Sequence, residues 1–465
     1  MLKLFAHHIR LSTLAQLSAD CMLCFLAVML AAQQLPSLSA DGVALTFDQL
    51  LLPAAAFAVV MSLLYAFVGF YRRGAIAVGV AELVGRGLIA VLIGAGISYL
   101  ALQAHGNDYA LPLVVHVVGY MVVGVFVMRG LVYFAPRVPI GARRVLVIGA
   151  GEEARQVARQ LRGSSRSLGT VVGFYPTTAD APAGIGGTKV LAHGVSIKEA
   201  VAALGVNQIV VAVKEQRGGG MPMEELLACR IRGIPVLDMA GFYERAHGRV
   251  HTDSLKASWL VYGNGFVQGR VRTGVKRTFD VFTSLTLLLL ALPVMLLTAL
   301  AIRLDSPGPV FYRQERVGRG GRIFMCIKFR SMRTDAEEDG VARWATKNDV
   351  RVTRVGALIR KARIDELPQL FSVLGGEMSL VGPRPERPEF VEQLKAEIPF
   401  YDVRHSVKPG VSGWAQVRYG YGASVEDARK KHQFDLYYVK NHSLFLDLIV
   451  LIETVSVVLF REGAQ

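Results

Sequence analysis

Arg270-Val-Arg-Thr-Gly-Val-Lys-Arg277 leads, after Thr278, into Phe279-Asp-Val-Phe-Thr-Ser-Leu-Thr-Leu-Leu-Leu-Leu-Ala-Leu-Pro293-Val-Met-Leu-Leu-Thr-Ala-Leu-Ala-Ile302. A bilayer core needs roughly 20 apolar residues per helix, so this run is long enough to cross. How it is read decides the fold. The chain that follows carries Arg313, Arg316, Arg319, Arg322, Lys328, Arg330 and Arg333. Basic residues stay on the cytoplasmic side of a membrane helix. Both flanks of this run are basic, so a simple crossing breaks that rule. Pro293 interrupts the run, and a proline inside a helix removes a hydrogen bond and kinks it. The consistent expectation is a re-entrant helix over about 279–302, broken at Pro293, that dips into the membrane and returns to the cytoplasmic face.

Working back towards the N-terminus, four further apolar stretches lie at roughly 14–33, 49–70, 83–104 and 110–134. Each is close to spanning length. The connections 34–48 and 105–109 contain no Lys or Arg, whereas Lys3, Arg10, Arg72, Arg73, Arg137, Arg143 and Arg144 mark the other ends. That asymmetry predicts a four-helix membrane block over 1–138, with the N-terminus, the second connection and everything after 135 in the cytoplasm. Asp20, Glu82 and Arg129 fall in or near these runs; bundle packing is favoured over transport for them. The apolar fraction of 52% fits a membrane protein, and the net charge of +15 points to an anionic partner. No recognition-helix motif is present, so no nucleic acid is expected. Of the four cysteines, Cys21 and Cys24 form a CxxC inside an apolar run without a second pair or a His cluster, which reads as helix packing. No cleavable signal peptide is evident.

Between these membrane segments, residues 139–245 change character. Arg144-Val-Leu-Val-Ile-Gly-Ala-Gly-Glu-Glu-Ala154 reads as a strand, a glycine turn and a helix, a GxGxxA form of the dinucleotide fingerprint. Strand-like runs at 169–175, 208–213 and 235–239 alternate with helical segments, which predicts a parallel α/β sheet and a Rossmann-like domain. The acidic residue expected roughly 20 positions on is missing, since the second strand ends Gly173-Phe-Tyr-Pro-Thr177. A structural or regulatory role is therefore favoured over NAD binding, and no cofactor-binding residue is assigned. A linker is expected over 246–272.

Downstream of the apolar run, Lys361-Ala-Arg-Ile-Asp-Glu-Leu-Pro-Gln-Leu370 holds an acidic pair, Asp365-Glu366, among Arg351, Arg354, Arg360, Lys361, Arg363 and Arg384. A carboxylate beside cations is held ionised. Pro368 and the apolar Leu367, Leu370, Phe371 and Leu374 place a helix start at Asp365, and a helix N-terminus favours anions. The pattern suits a phosphorylated ligand, with a divalent ion, held against a nucleophile. An N-capped helix with surface ion pairs explains the same residues. Lys328 and Arg330 flank Phe329 in a strand-like run, which puts both cations on one face. Arg384, between Pro383 and Pro385, is a rigidly held guanidinium suited to phosphate. Phosphoryl or phosphosugar transfer is the implied chemistry.

Asp305-Ser-Pro-Gly-Pro309, Lys328-Phe-Arg330, Asn348-Asp-Val-Arg351, Arg360–Gln369, Gly382-Pro-Arg-Pro385 and Lys408-Pro-Gly-Val-Ser-Gly-Trp-Ala-Gln416 occur in an order and spacing that resembles the bacterial polyprenyl-phosphate hexose-1-phosphate transferases, the monotopic phosphoglycosyl transferases. The resemblance covers about 273–465, and the whole chain is similar to the large form of that family. It implies a catalytic module, mixed but mainly α, with the re-entrant helix. It implies transfer of sugar-1-phosphate from a UDP-sugar, glucose or galactose being the common choices, to undecaprenyl phosphate, with release of UMP. Asp365 is implied as the nucleophile that forms a phosphosugar intermediate, and Glu366 as its catalytic and metal-site partner with Mg²⁺. Either carboxylate could contact the metal. Arg360 and Arg384 match phosphate-contacting positions, and Lys328, Arg330, Asp349 and Arg351 match the family's motifs. The setting implied is the bacterial inner membrane, multi-pass, with inner-membrane lipid around the helices and the catalytic module on the cytoplasmic face. The products implied are exopolysaccharide, capsule or O-antigen. The membrane block and middle domain offer surface for a homodimer. A membrane-bound nucleotide sensor acting through the Rossmann-like domain is the competing function. Leu444–Phe460, with Asp447 and Glu453, reads as an amphipathic or core helix lying on the membrane. His405, Trp259, Trp344 and Trp414 read as structural, Trp414 being the one inside a family motif.

Overall fold

The computed structural model describes residues 2–4, 7–9, 11–35, 47–71, 80–106, 110–134, 143–163, 169–177, 184–185, 187–192, 194–213, 221–252, 260, 265–266, 269–336, 349–420, 422 and 424–460. Arg10, Arg72, Arg73, Arg137, Trp259, Trp344, Asn348, the side chain of Arg129 and much of 246–272 lie outside them. Two compact units result. One joins Met1–Ala135 to Gly265–Gln465, and the other is Pro136–Asn264.

The first unit opens with a short antiparallel hairpin, β1 (Leu2–Leu4) and β2 (His7–Ile9). Four long helices follow: α1 (Leu11–Gln34), α2 (Phe47–Phe67), α3 (Val80–Ala104) and α4 (Ala110–Phe134). α1 packs on α2 and α4, and α3 packs on the same two. Small residues such as Ala27, Ala31, Ala54, Ala58 and Ala90 are buried where the helices meet. Small side chains allow the close approach that helix pairing in lipid depends on. Large apolar residues such as Leu52, Leu92, Leu100 and Val123 face outward. Asp20 is buried and accepts a 2.9 Å hydrogen bond from Tyr71, and Glu82 accepts from Arg86. The first joins two segments of the bundle, and the second lies within α3.

The middle unit is built on a four-stranded parallel sheet of β3 (Arg144–Ile148), β4 (Thr170–Tyr175), β7 (Gln208–Val211) and β8 (Val236–Asp238), in the order β4-β3-β7-β8. A small hairpin, β5 (Gly184–Ile185) with β6 (Thr188–Lys189), is inserted after β4. Helices α5 (Glu152–Gly163), α6 (Ile197–Ala203), α7 (Met223–Ile231) and α8 (Met239–His247) complete it. The strands lie where apolar, β-branched runs predict them, and β7 is buried throughout. Gly149, directly after β3, has φ 111. Its hydrogen could not be exchanged for a Cβ without striking the Ala212 carbonyl.

Back in the first unit, α9 (Arg270–Asp305) is 36 residues long and helical throughout, with Pro293 inside it. One stripe is packed along its length. Leu288, Ala291, Met295, Ala299 and Ile302 lie against Phe329, Ile359, Ile364 and Leu367. The opposite stripe, including Phe282, Leu289, Leu290, Leu297 and Leu304, is exposed and apolar. Among the described residues five helices, α1–α4 and α9, are long and apolar enough to cross a membrane, which makes this a membrane protein.

The hairpin β9 (Phe311–Val317) and β10 (Ile323–Phe329) pairs Phe311 with Phe329 and turns at Gly320 and Gly321, both left-handed. Then come α10 (Arg354–Lys361), a 3-10 turn at Ile364–Glu366, α11 (Gln369–Gly375), β11 (Ser379–Val381), α12 (Pro388–Glu397), a 3-10 turn at Tyr401–Ser406, β12 (Gly410–Ser412) and α13 (Trp414–Arg418). Helices α14 (Val425–Asn441) and α15 (Leu444–Phe460) close the chain. Ser424 and Asp427 form a reciprocal capping box that starts α14. α15 is a core helix at its charged positions. Asp447 is fully buried and accepts from Lys276 at 2.6 Å and from Tyr438 at 2.7 Å, while Glu453 pairs with Arg418. Its last turn meets the membrane helices, where the Arg86 guanidinium sits 4.1 Å over the Phe460 ring.

Candidate active site

α10 starts at Thr353, whose hydroxyl accepts from the Gly356 amide at 2.9 Å, and its helix is spent by Ala362. Arg363 then takes a left-handed conformation, φ 57. That costs a non-glycine residue on the order of 1 kcal/mol, and such residues gather at functional sites. The reversal tightens Ile364–Glu366 into a single 3-10 turn, and Pro368 lies at the entry to α11. Asp365-Glu366 therefore sits in the turn before the helix rather than at its start. α11 begins at Gln369 and has only seven residues.

Both carboxylates are buried, Asp365 at 8% and Glu366 at 7% exposure, and their surroundings differ sharply. The cations converge on Glu366. Its Oε1 accepts from Arg384 at 2.9 Å and from Lys328 at 3.2 Å, with Arg363 3.8 Å away. Those charges outweigh the effect of its burial and hold Glu366 far below the usual carboxylate range. Asp365 is pushed the other way, first by burial and then by the adjacent Glu366 charge, against the pull of Lys328, Arg363 and Arg384. Its Oδ1 is buried with no hydrogen-bond partner. The cations that the sequence places around the pair thus converge on Glu366, while Asp365 keeps an oxygen without a partner.

That oxygen belongs to a residue on the wall of a cavity of about 770 Å³. Lys328, Arg330, Arg360, Arg363, Glu366 and Arg384 share the wall. Volumes of this size accommodate small-molecule ligands, and among the charged residues that line this one cations outnumber carboxylates. Lys328, Arg360 and Arg384 come together as the sequence suggests. Arg330 is on the wall too, but its guanidinium donates to the Ser306 and Pro307 carbonyls and to the Ser306 hydroxyl, bracing the turn that follows α9. Arg351 is not on the wall. It grips Asp349 through two side-chain hydrogen bonds, of 2.8 and 2.6 Å.

Other wall residues escaped the sequence reading. Glu386 and Arg387 directly follow Pro385, and the alternation of proline with charge over 383–388 was the available signal. Arg316 donates to the Pro385 carbonyl at 3.1 Å and lies 3.7 Å from Glu386. Tyr401, Arg404, Lys431 and Asp435 come from two elements far along the chain, and nothing in the spacing joins them to Asp365. His405 is buried and 3.2 Å from Asp402; burial lowers it to about 4, and it is not on this wall. Trp414 is fully buried and stacks on Tyr437, with the Arg418 guanidinium 4.2 Å from its ring centre.

Among the described residues no group of three or more His, Cys, Asp or Glu gathers to form a metal cage. Magnesium does not need one, since it binds through one or two carboxylates plus substrate phosphates. The unpartnered Asp365 Oδ1 next to Glu366 fits that donor set.

Four matches to known proteins bear on this site. A family profile described as bacterial sugar transferase matches residues 271–461. A protein of Aeromonas hydrophila named UDP-N-acetylgalactosamine-undecaprenyl-phosphate N-acetylgalactosaminephosphotransferase is 46% identical over 240 residues, 52% of this chain and 56% of that protein. The UDP-glucose:undecaprenyl-phosphate glucose-1-phosphate transferase of Escherichia coli K12 is 44% identical over 183 residues, 39% of each chain. The match thus spans about half or less of these two relatives. The exopolysaccharide production protein PSS of Rhizobium leguminosarum bv. phaseoli is 44% identical over 190 residues, which cover 93% of its own length. With the cavity, its acidic pair and its cations all inside the matched region, the chain belongs to the bacterial sugar transferase family.

Proposed function

We propose that this protein transfers a sugar-1-phosphate from a UDP-sugar to undecaprenyl phosphate, releasing UMP, by way of a phosphosugar carried on Asp365. The observation that carries this reading is the division of labour in the acidic pair. Glu366 absorbs the local cations, and Asp365 Oδ1 is left buried without a partner on a cavity wall. A desolvated carboxylate with a lifted proton affinity is a better nucleophile than one tied up in ion pairs.

In the first step an Asp365 oxygen bonds to the sugar-bearing phosphorus, and the phosphorus–oxygen bond to UMP breaks. UMP leaves with the bridging oxygen and its electron pair. In the second step a phosphate oxygen of undecaprenyl phosphate attacks the same phosphorus, and the acyl phosphate bond breaks to restore the Asp365 carboxylate. Both steps use the ionised Asp365 carboxylate, so no proton moves during transfer. Lys328, Arg360 and Arg384, on the same wall, would neutralise phosphate oxygens. A magnesium ion held by Asp365 and Glu366 would add charge neutralisation at the transferring phosphate.

The acceptor is a lipid, which fits the way α9 is held. Its N-terminal half is tied down by Lys276 to Asp447 and by Arg277 to the Val373 and Leu374 carbonyls; at its far end Asp305 accepts from the Val355 amide. A helix packed on one side along its whole length is not ringed by lipid. This supports a re-entrant or interfacial placement, with the cavity at the cytoplasmic surface of the inner membrane. The middle unit is read as a Rossmann-like domain with a structural or regulatory role.

The relatives' names include glucose and N-acetylgalactosamine as well as undecaprenyl phosphate. The test is purified protein with Mg²⁺, undecaprenyl phosphate and a panel of UDP-glucose, UDP-galactose and UDP-N-acetylgalactosamine, read as UMP release. One sugar is expected to dominate. Absence of UMP with every sugar sinks the transfer. With acceptor omitted, labelled sugar-phosphate should remain on the protein; label retained by Asp365→Asn would place the nucleophile elsewhere.

A further inference from the structure

Behind Arg384 lies a buried charged network that no contact with the acidic pair explains. Arg404, in the 3-10 turn Tyr401–Ser406, is 5% exposed. One arm of its guanidinium donates to Asp435 Oδ2 at 2.9 Å and to the backbone carbonyl of Arg384 at 2.8 Å. The other arm donates to the Tyr401 hydroxyl, and the guanidinium carbon lies 5.0 Å from the centre of the Tyr401 ring. Asp435, on α14, is 3% exposed. A buried ion pair contributes little net stability against an apolar replacement, so its presence calls for another reason. The reason available here is geometric. Arg384 has a side chain about a third exposed, and its Nη2 reaches Glu366 at 2.9 Å. A long, partly exposed arginine aims accurately only if its backbone is fixed. Pro383 and Pro385 restrict the torsions on either side, but neither can donate a hydrogen bond to the carbonyl between them. Arg404 does so.

We infer that Arg404, oriented by Asp435 and Tyr401, is a positioning residue: it fixes the backbone of Arg384 and thereby the guanidinium that holds Glu366 beside the nucleophile. The inference rests on the transferase reading for its kinetic arm, and has a second arm that does not. From the 3-10 turn Arg404 holds the Arg384 carbonyl, about 20 residues earlier, and Asp435 through one nitrogen and the Tyr401 hydroxyl through the other, a planar fork that the single ammonium nitrogen of a lysine cannot span.

The kinetic arm is a double-mutant cycle on UMP release with Arg404→Lys and Arg384→Lys in the full-length protein. Arg404→Lys is expected to lower kcat by about tenfold with KM changed by less than about threefold. The double variant is expected to match Arg384→Lys alone, since Arg404 acts through that residue. Losses that multiply would mean that Arg404 acts on the substrate by itself, and would overturn the inference. Tyr401→Phe, which removes one hydroxyl and keeps the ring, should give a smaller loss in the same parameter; an unchanged kcat there together with a KM effect in Arg404→Lys also overturns it. The activity-free arm is the same cycle on melting temperature with Arg404→Lys and Glu366→Gln, two residues that share Arg384 but not a hydrogen bond. Glu366→Gln should shift the melting temperature less in the Arg404→Lys background than in the parent. Equal shifts in both backgrounds would refute the coupling whether or not the protein turns over any sugar.

Discussion

After β3 the chain runs Gly149-Ala-Gly151 into α5, whose first turn carries Glu152 and Glu153; after α10 it runs through left-handed Arg363 into Asp365-Glu366. From sequence, both turns qualify as phosphate sites, one by its glycines and the other by its cations. In the structure they differ in sign. The α5 turn offers two carboxylates where a pyrophosphate would approach, and Glu152 is engaged by Arg155 and Arg159 on its own helix. The Asp365 turn gathers Lys328, Arg363 and Arg384 from three segments. Glycine spacing describes what a backbone can do. Convergence of charge from separate elements describes what a site is for, and only folding displays it.

The sharpest way to break this contrast is Asp365→Asn. It keeps the shape and removes the nucleophilic charge, so UMP release should fall by about a thousandfold or more. Retained turnover would make the two turns equivalent after all. Next comes Glu366→Gln, expected to cost about a hundredfold in kcat/KM because Lys328, Arg363 and Arg384 lose the charge that arranges them. A change under about threefold would show that the cations arrange themselves.

The pH profile sharpens the difference inside the pair. Asp365 is raised above its ordinary value by burial and then by Glu366, so its ionised form appears only at a pH above the usual range of about 4. The acid limb of kcat/KM should lie there, with activity rising as Asp365 deprotonates. In residual turnover by Glu366→Gln the limb should move to lower pH, since one cause of the rise is gone. The Glu366 contribution to stability is lost in the same direction of pH, but further down the scale. Its depressed value means that its contribution is present above the unfolded carboxylate range and is lost as pH falls towards the folded value.

The smallest effects belong to the glycine turn. Gly149→Ala should loosen the middle unit, because φ 111 is disfavoured for alanine and the added carbon meets the Ala212 carbonyl. Limited proteolysis would read this. Gly151→Ala, whose new carbon would meet only the Glu153 carboxylate at 3.4 Å, should leave UMP release within about twofold. A large loss there would reveal a ligand closely apposed to that backbone.

Periodicity and punctuation made much of the molecule legible. Uniform apolar runs placed α1–α4, and β-branched runs placed β3, β4, β7 and β8, because a single physical demand acts on every residue of such a segment. Lys328, Arg360 and Arg384 were legible as a basic surround. What the sequence concealed was pairing. Nothing in the order Asp365, Glu366 says which of two adjacent carboxylates the cations will choose; the left-handed Arg363 and the 3-10 turn decide it. Arg330 and Arg351 looked like ligand contacts because a cation's sequence neighbourhood does not reveal whether its fork is already filled, and both forks are filled by neighbouring groups. Arg404 and Asp435 were out of reach for the same reason, being 31 positions apart and meeting only in the fold.

Phe460 beneath Arg86, with Ser456 close to Gly69, joins the last helix of the chain to helices made near its beginning. This contact sets an order for folding. Closing so long a loop costs entropy before it returns any contact, and the N-terminal helices are synthesised first. α1–α4 pack on one another, so what must wait for α15 is their contact with it, and the inserted 136–264 unit has the interval to fold by itself. Completion of the unit that holds the cavity is consequently among the last events, and a stalled or clipped chain would carry membrane helices without a finished reaction centre.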